Sequence, residues 1–213
     1  MKKTHSIRHA LLGGMLAAVL GLPSLTAWAA PTHETIVLFR HGEKPEKGFG
    51  QLNCQGLNRA LALPDVLLKK YGKPQLLIAP NPSSQKTDWD VLYDYIRPLA
   101  TIEPTAIRLE MPVNTQLGFD QTGPLADLLL APEQANKTVF VAWEHKLIDV
   151  VAKEMLQRLQ ADPAVVPKWQ REDFDSLYRI DIQRDGDKVQ VTFKHEAQHL
   201  NHQSKHCPAP VQH

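Results

Sequence analysis

Cysteine is scarce in this chain, neither sign of charge dominates it, and beyond its first residues it has no long apolar run. Its two cysteines, Cys54 and Cys207, leave room for one disulfide at most. Its 24 basic and 23 acidic residues argue against a nucleic-acid or anionic-membrane binder on charge. No internal repeat is present, so the chain is not a repeat array. No complete glycine-rich nucleotide loop occurs: "GFGQLN" at 48–53 does not join a strand to a helix with the full glycine pattern.

The start of the chain reads as a secretory leader. Lys2, Lys3 and Arg8 precede an apolar run from Ala10 to Leu22 that is short for a bilayer span, and Ala27-Trp28-Ala29 is a cleavage pattern. Residues 1–29 are thus expected to be removed, leaving a single domain over 30–213 with a His-rich tail, periplasmic or secreted and not membrane-bound. No Cys stands at the cut to carry a lipid, and no twin Arg precedes it. Removal takes the basic count from 24 to 21 against the 23 acids. An oxidising compartment favours a Cys54–Cys207 disulfide over two free thiols.

Thr35–Phe39, Gln75–Ala79 and Thr138–Trp143 read as short buried strands. Helices are expected over Gln55–Tyr71, with Pro64 kinking or dividing it and Gly72 ending it, and over Gly123–Leu130 and Lys146–Leu159. The last has Leu147, Val150, Val151, Met155 and Leu159 at helical spacing. Trp89–Leu99 reads as amphipathic, with Trp89, Leu92, Tyr93 and Ile96 on one stripe. "SLYRIDIQRDGDKVQVTFKH" alternates and turns at Asp185-Gly186, a hairpin signal. The pattern predicts an α/β three-layer sandwich: a mainly parallel sheet, helices on both faces, and a C-terminal antiparallel hairpin at the edge.

The first strand ends in Arg40-His41-Gly42, and the third in Glu144-His145. Ligands of open α/β sheets bind beyond the carboxyl ends of strands. A guanidinium suits an oxyanion, and an imidazole can act as nucleophile or proton carrier. Arg97 stands where a loop meets a helix. Together these residues fit a phosphate.

With "FRHGEKP" at 39–45, "GLNRALAL" at 56–63, "IRPLATIEPTAIRLEMPV" at 96–113, "VFVAWEHK" at 139–146 and "FDSLYRI" at 174–180, the chain resembles the histidine phosphatase (phosphoglycerate mutase-like) superfamily over roughly residues 34–195. The resemblance implies a phosphomonoesterase in which His41 takes the phosphoryl group as a phosphohistidine. Arg40, Arg97 and His145 would bind the phosphate oxygens, with no metal and no other cofactor. The substrate would be a small-molecule phosphate ester or a phosphoprotein.

Two features depart from the family pattern. The Ser-Pro-x-x-Arg-Ala run that often carries the second Arg is replaced by "APNPSSQKTD" at 79–88. Arg97 is therefore the candidate second Arg, with Lys86 as the alternative cation. Gln116 stands where many members have an acidic residue, which makes Glu144 the first candidate general acid, Asp120 the second and Glu43 the third. These departures leave a second reading: a member that binds phosphate esters with little turnover. A third arises from His195-Glu196-Ala197-Gln198-His199, which matches the H-E-x-x-H zinc pattern. Its third ligand position does not fit, since residue 202 is His where Gly is needed and residue 205 is Lys. A looser metal-binding role for His195, His199, His202 and His206, or a solvated polar tail, are the other readings of that segment.

Overall fold

The computed structural model describes residues 30–209. The expected leader, residues 1–29, lies outside the described residues. Strand β1 (Thr32–Arg40) is apolar along its C-terminal half because it is covered on both faces and flanked on both edges. Helix α1 (Cys54–Tyr71) follows, then β2 (Leu76–Ile78), a β3–β4 hairpin (Gln85–Asp88, Val91–Asp94) and α2 (Arg97–Leu109). The chain continues with α3 (Thr122–Leu130), β5 (Thr138–Trp143), α4 (His145–Arg158) and the strands β6 (Ser176–Asp185) and β7 (Lys188–Ala197).

The main sheet has the order β2-β5-β1-β6-β7. β2, β5 and β1 run parallel, β6 runs antiparallel to β1, and β7 antiparallel to β6, so four of five strands point one way. Alternate residues of the central strands feed two cores. Ile36, Leu38, Val139 and Val141 pack with α3 and α4 on one face. Val37, Phe39, Phe140 and Ala142 pack with α1 and α2 on the other. This is the expected three-layer arrangement, and the hairpin turns at Gly186, whose φ of 55° suits glycine.

Asn53 caps α1 by accepting from the Gly56 amide at 2.9 Å, and Gly72 ends it with φ 74°. Pro64 does not divide the helix: α1 runs through it to Tyr71. On α4 the buried stripe is Ile148, Val151, Ala152 and Met155, while Val150 faces outward. Trp89–Leu99 is not a helix. Trp89 and Asp90 form the left-handed turn of the β3–β4 hairpin, with φ 50° and 62°, and the helix starts only at Arg97. Pro98, in its first turn, opens α2, where no backbone donor is needed. The spacing of Trp89, Leu92, Tyr93 and Ile96 is therefore coincidental.

Cys54 and Cys207 form a disulfide, with 4.5 Å between their Cα atoms, that ties the start of α1 to the tail. Among the described residues no helix is long and apolar enough to cross a membrane. The H-E-x-x-H segment does not form the helix that a zincin needs. His195 and Glu196 lie in β7, Glu196 is bonded to Lys70 and Tyr71, and His199 sits beyond the strand with φ 61°.

Candidate active site

The parallel register of β1 with β5 sets Arg40 beside Trp143, and the His41 amide donates to the Trp143 carbonyl at 3.2 Å. The two strands therefore release Arg40-His41 and Glu144-His145 side by side at one edge of the sheet. Gly42 is needed here for closeness. A Cβ on it would lie 2.8 Å from the Gly56 carbonyl of α1. Its amide donates to Thr101 Oγ1 at 2.9 Å, and that hydroxyl donates to the Arg97 carbonyl at 2.8 Å, so the turn is fastened to α2.

A cavity of about 570 Å³ opens at this edge. Arg40, His41, Arg97, Glu144 and His145 line it, as do Lys86 and Asp120. Six basic side chains face it against three carboxylates, which suits an anion. His41 is buried, and its Nδ1 lies 2.7 Å from the Gly42 carbonyl. A carbonyl only accepts, so Nδ1 carries the proton and the lone pair of the neutral ring is on Nε2. Burial, then Arg97 and Arg40, hold the imidazole pKa well below its ordinary range, so His41 is neutral at physiological pH. Neutrality with a free Nε2 is the state a nucleophile requires.

Arg40 is fixed by the carbonyls of Arg171 (2.5 Å) and Asp173 (3.0 Å) and stacks over Phe174 at 3.8 Å. Burial lowers its pKa to about 10, which leaves it charged. Arg97 is buried, not a surface residue of its helix, and is held by Asp88 through Nη1 at 2.6 Å. Lys86 reaches the same cavity from β3 and lies 3.2 Å from Glu144 Oε1. Both cations weighed in the sequence are thus present.

The candidate acids separate clearly. Glu43 does not line the cavity: it lies behind it, bound to Arg59 at 2.8 Å. Glu144 lines it but is held ionised. Burial by itself would raise its pKa, yet His145, 3.2 Å away, and Lys86 outweigh burial and hold the carboxyl far below the usual range. Its other oxygen accepts from the Lys146 and Leu147 amides at 2.7 and 3.1 Å, capping α4. A carboxylate so bound is a poor proton donor; it lies 3.2 Å from both His145 and Lys86. Asp120, on the exposed rim, remains. Sequence reading passed over Lys44, Tyr95, Phe119, Lys146 and Arg171, which also line the cavity. Lys146 could have been found as the residue after His145. Nothing in "KWQREDFD" marks Arg171.

Neither a protein-family model nor a curated protein matches the sequence. Among solved structures, a mycobacterial glucosyl-3-phosphoglycerate phosphatase in complex with inorganic phosphate aligns at TM-score 0.50 and 14% identity, over 76% of this chain and 95% of the other. A protein from Agrobacterium tumefaciens assigned as the phosphohistidine phosphatase SixA aligns at TM-score 0.48 and 14% identity, over 74% of this chain and 97% of the other. At that identity the likeness shows a shared fold: the chain is built on the same α/β architecture as the mycobacterial phosphatase.

Proposed function

We propose that this chain is a metal-independent phosphomonoesterase of the histidine phosphatase superfamily, acting outside the cytoplasm. The observation that carries the reading is His41: a buried, neutral imidazole, its Nδ1 bound to Gly42, set among Arg40, Arg97 and His145. The leader-like residues 1–29 and the Cys54–Cys207 disulfide support export.

In the first step Nε2 of His41 attacks phosphorus in line. The N–P bond forms and the ester P–O bond breaks. Arg40, Arg97 and His145 take up the charge spread over the non-bridging oxygens, which is most of what catalysis of this transfer requires. The leaving alkoxide takes a proton from Asp120. Water then attacks phosphorus, gives its proton back to Asp120, and releases inorganic phosphate with His41 restored. Arg40, Lys86 and Arg97 are among the six cations that face the cavity and can neutralise the phosphate charge without a metal.

The test is to trap the intermediate. Protein mixed with an aryl phosphate in the presence of chelator, then quenched in alkali, is expected to carry one phosphohistidine, on the peptide containing His41. Phosphate released without any such adduct would overturn the mechanism. The acid assignment has its own check. Asp120→Asn is expected to lower turnover of an alkyl phosphate by about 10²-fold or more, and of a nitrophenyl phosphate by less than about 10-fold, since a phenolate leaves with little help. Equal losses on both substrates would remove Asp120 from that role. The placement of Asp120 on an exposed rim also favours a narrower second reading: turnover confined to esters with good leaving groups.

A further inference from the structure

A single phosphate group does not account for the cations at this site. A second cavity of about 500 Å³ adjoins the first, and the two share His145, Lys146 and Arg171 as a common wall. Lys168, Trp169 and Gln170 form its far side, with Asp149 and Glu172 as its carboxylates. His41 and Arg40 face only the first cavity.

The other cations of the first cavity already have partners: Arg97 and Lys44 are paired with Asp88, Lys86 with Glu144, and Arg40 is bound to two backbone carbonyls. Lys146, Lys168 and Arg171 differ. Among the described residues, no carboxylate lies within 4.0 Å of any of the three. The segment bearing Lys168 and Arg171 is nonetheless built in. Trp169 is buried, its amide donates to Asp149 at 2.8 Å, and its indole donates to the Asp173 carbonyl at 2.9 Å. The Arg171 carbonyl accepts from Arg40 itself. Lys146 is placed by the cap of α4, whose first amides are held by Glu144. Two cations without a carboxylate partner are thus carried on well-held backbone beside the phosphate position, with a third beyond them, in the wall of the second cavity.

We propose that the natural substrate carries a second anionic group, a phosphate or carboxylate, which Lys146 and Arg171 bind with Lys168 behind them while His41 attacks the first phosphate. This rests on the phosphomonoesterase reading, and it narrows the substrate class to esters with two separated anionic groups. Charge-assisted contacts to two cations at a set spacing from His41 give both affinity and register.

The test compares propylphosphonate with propane-1,3-bisphosphonate and butane-1,4-bisphosphonate, none of which can be hydrolysed, by calorimetry on the full mature protein at low salt. At least one bisphosphonate is expected to bind about tenfold or more tighter than propylphosphonate. That ratio is expected to fall to about two, the statistical factor for two equivalent ends, in the double variant Lys146→Gln/Arg171→Gln. Lys168→Gln is expected to cut it in part. All three side chains are exposed, and an unchanged melting temperature shows that the variants fold. A wild-type ratio near two, a ratio unmoved by the double variant, or no binding of either compound overturns the proposal. The phosphatase reading stands or falls separately, on the phosphohistidine trap: a preserved bisphosphonate preference without an adduct on His41 would retain the second subsite and reject the enzyme mechanism.

Discussion

His41→Ala is expected to lower kcat/KM for an aryl phosphate by at least about 10³-fold, the scale on which covalent catalysis fails when the nucleophile is removed. The positive cavity survives the substitution, because Arg40 is held by two backbone carbonyls and stacked on Phe174, and Arg97 by Asp88, none of which involves the imidazole. Phosphate should therefore still bind. A variant that loses turnover but retains affinity for inorganic phosphate identifies His41 as the nucleophile. A loss of less than tenfold would place the chemistry elsewhere.

The pH dependence follows from the same surroundings. Burial, Arg97 and Arg40 depress the His41 pKa, so the attacking form persists below the ordinary imidazole value of about 6.5. The acid limb due to His41 lies below that value. Arg97→Gln, which removes the larger of the two charge effects, is expected to move the limb upward in pH while also lowering the rate. Linkage gives the companion sign. The unfolded chain binds a proton at residue 41 more readily than the folded one, so His41 leaves stability intact above about pH 6.5 and lowers it as the pH falls below. His41→Ala should therefore lose less stability than wild type on acidification, a difference readable from melts at two pH values.

Much of this site is legible from residue order alone, because strands that are buried on both faces read as unbroken apolar runs and their ends are abrupt. "TIVLF" followed by Arg40-His41, and "TVFVAW" followed by Glu144-His145, locate one sheet edge without any structure. The hairpin at Asp185-Gly186 is equally plain, since glycine is at the position whose φ is positive. The 85–97 segment was opaque for a physical reason. A two-stranded ribbon with one face toward a cavity and no second layer shows no clean alternation. Its turn uses Trp89 and Asp90 in the left-handed region, where glycine or asparagine would have signalled it. The role of Glu144 was hidden differently: its sequence position fits an acid, but its ionisation depends on His145 and on Lys86, the latter 58 positions away along the chain. The basic wall of the second cavity comes from an irregular segment, where no periodicity exists to read.

Arg59 was given no role from the sequence, yet it joins three separate parts of the fold. It is fully buried in α1, within "GLNRALAL". Its Nε and Nη2 donate to Glu43 at 3.0 and 2.8 Å, and its Nη1 to Asp175 and Gln198, both at 3.0 Å. Nη2 also reaches Asn201 at 3.1 Å. One guanidinium thus ties the turn that follows His41-Gly42 to the start of β6 and to the segment after β7. Arg59→Met keeps much of the volume but leaves two buried carboxylates without their cation, and breaking such a pair costs about 3–5 kcal/mol. Against a total of about 5–15 kcal/mol, that is a large share. The melting temperature is expected to fall by roughly 10 °C or more in a domain of this size. Arg59→Lys should recover little of this, because a single ammonium cannot present the fork that meets Glu43 on one side and Asp175 on the other. Full recovery with lysine would mean that charge alone sufficed and that the geometry of the fork is not what holds the site's first turn in place. A fall of less than about 2 °C in Arg59→Met would mean that neither does.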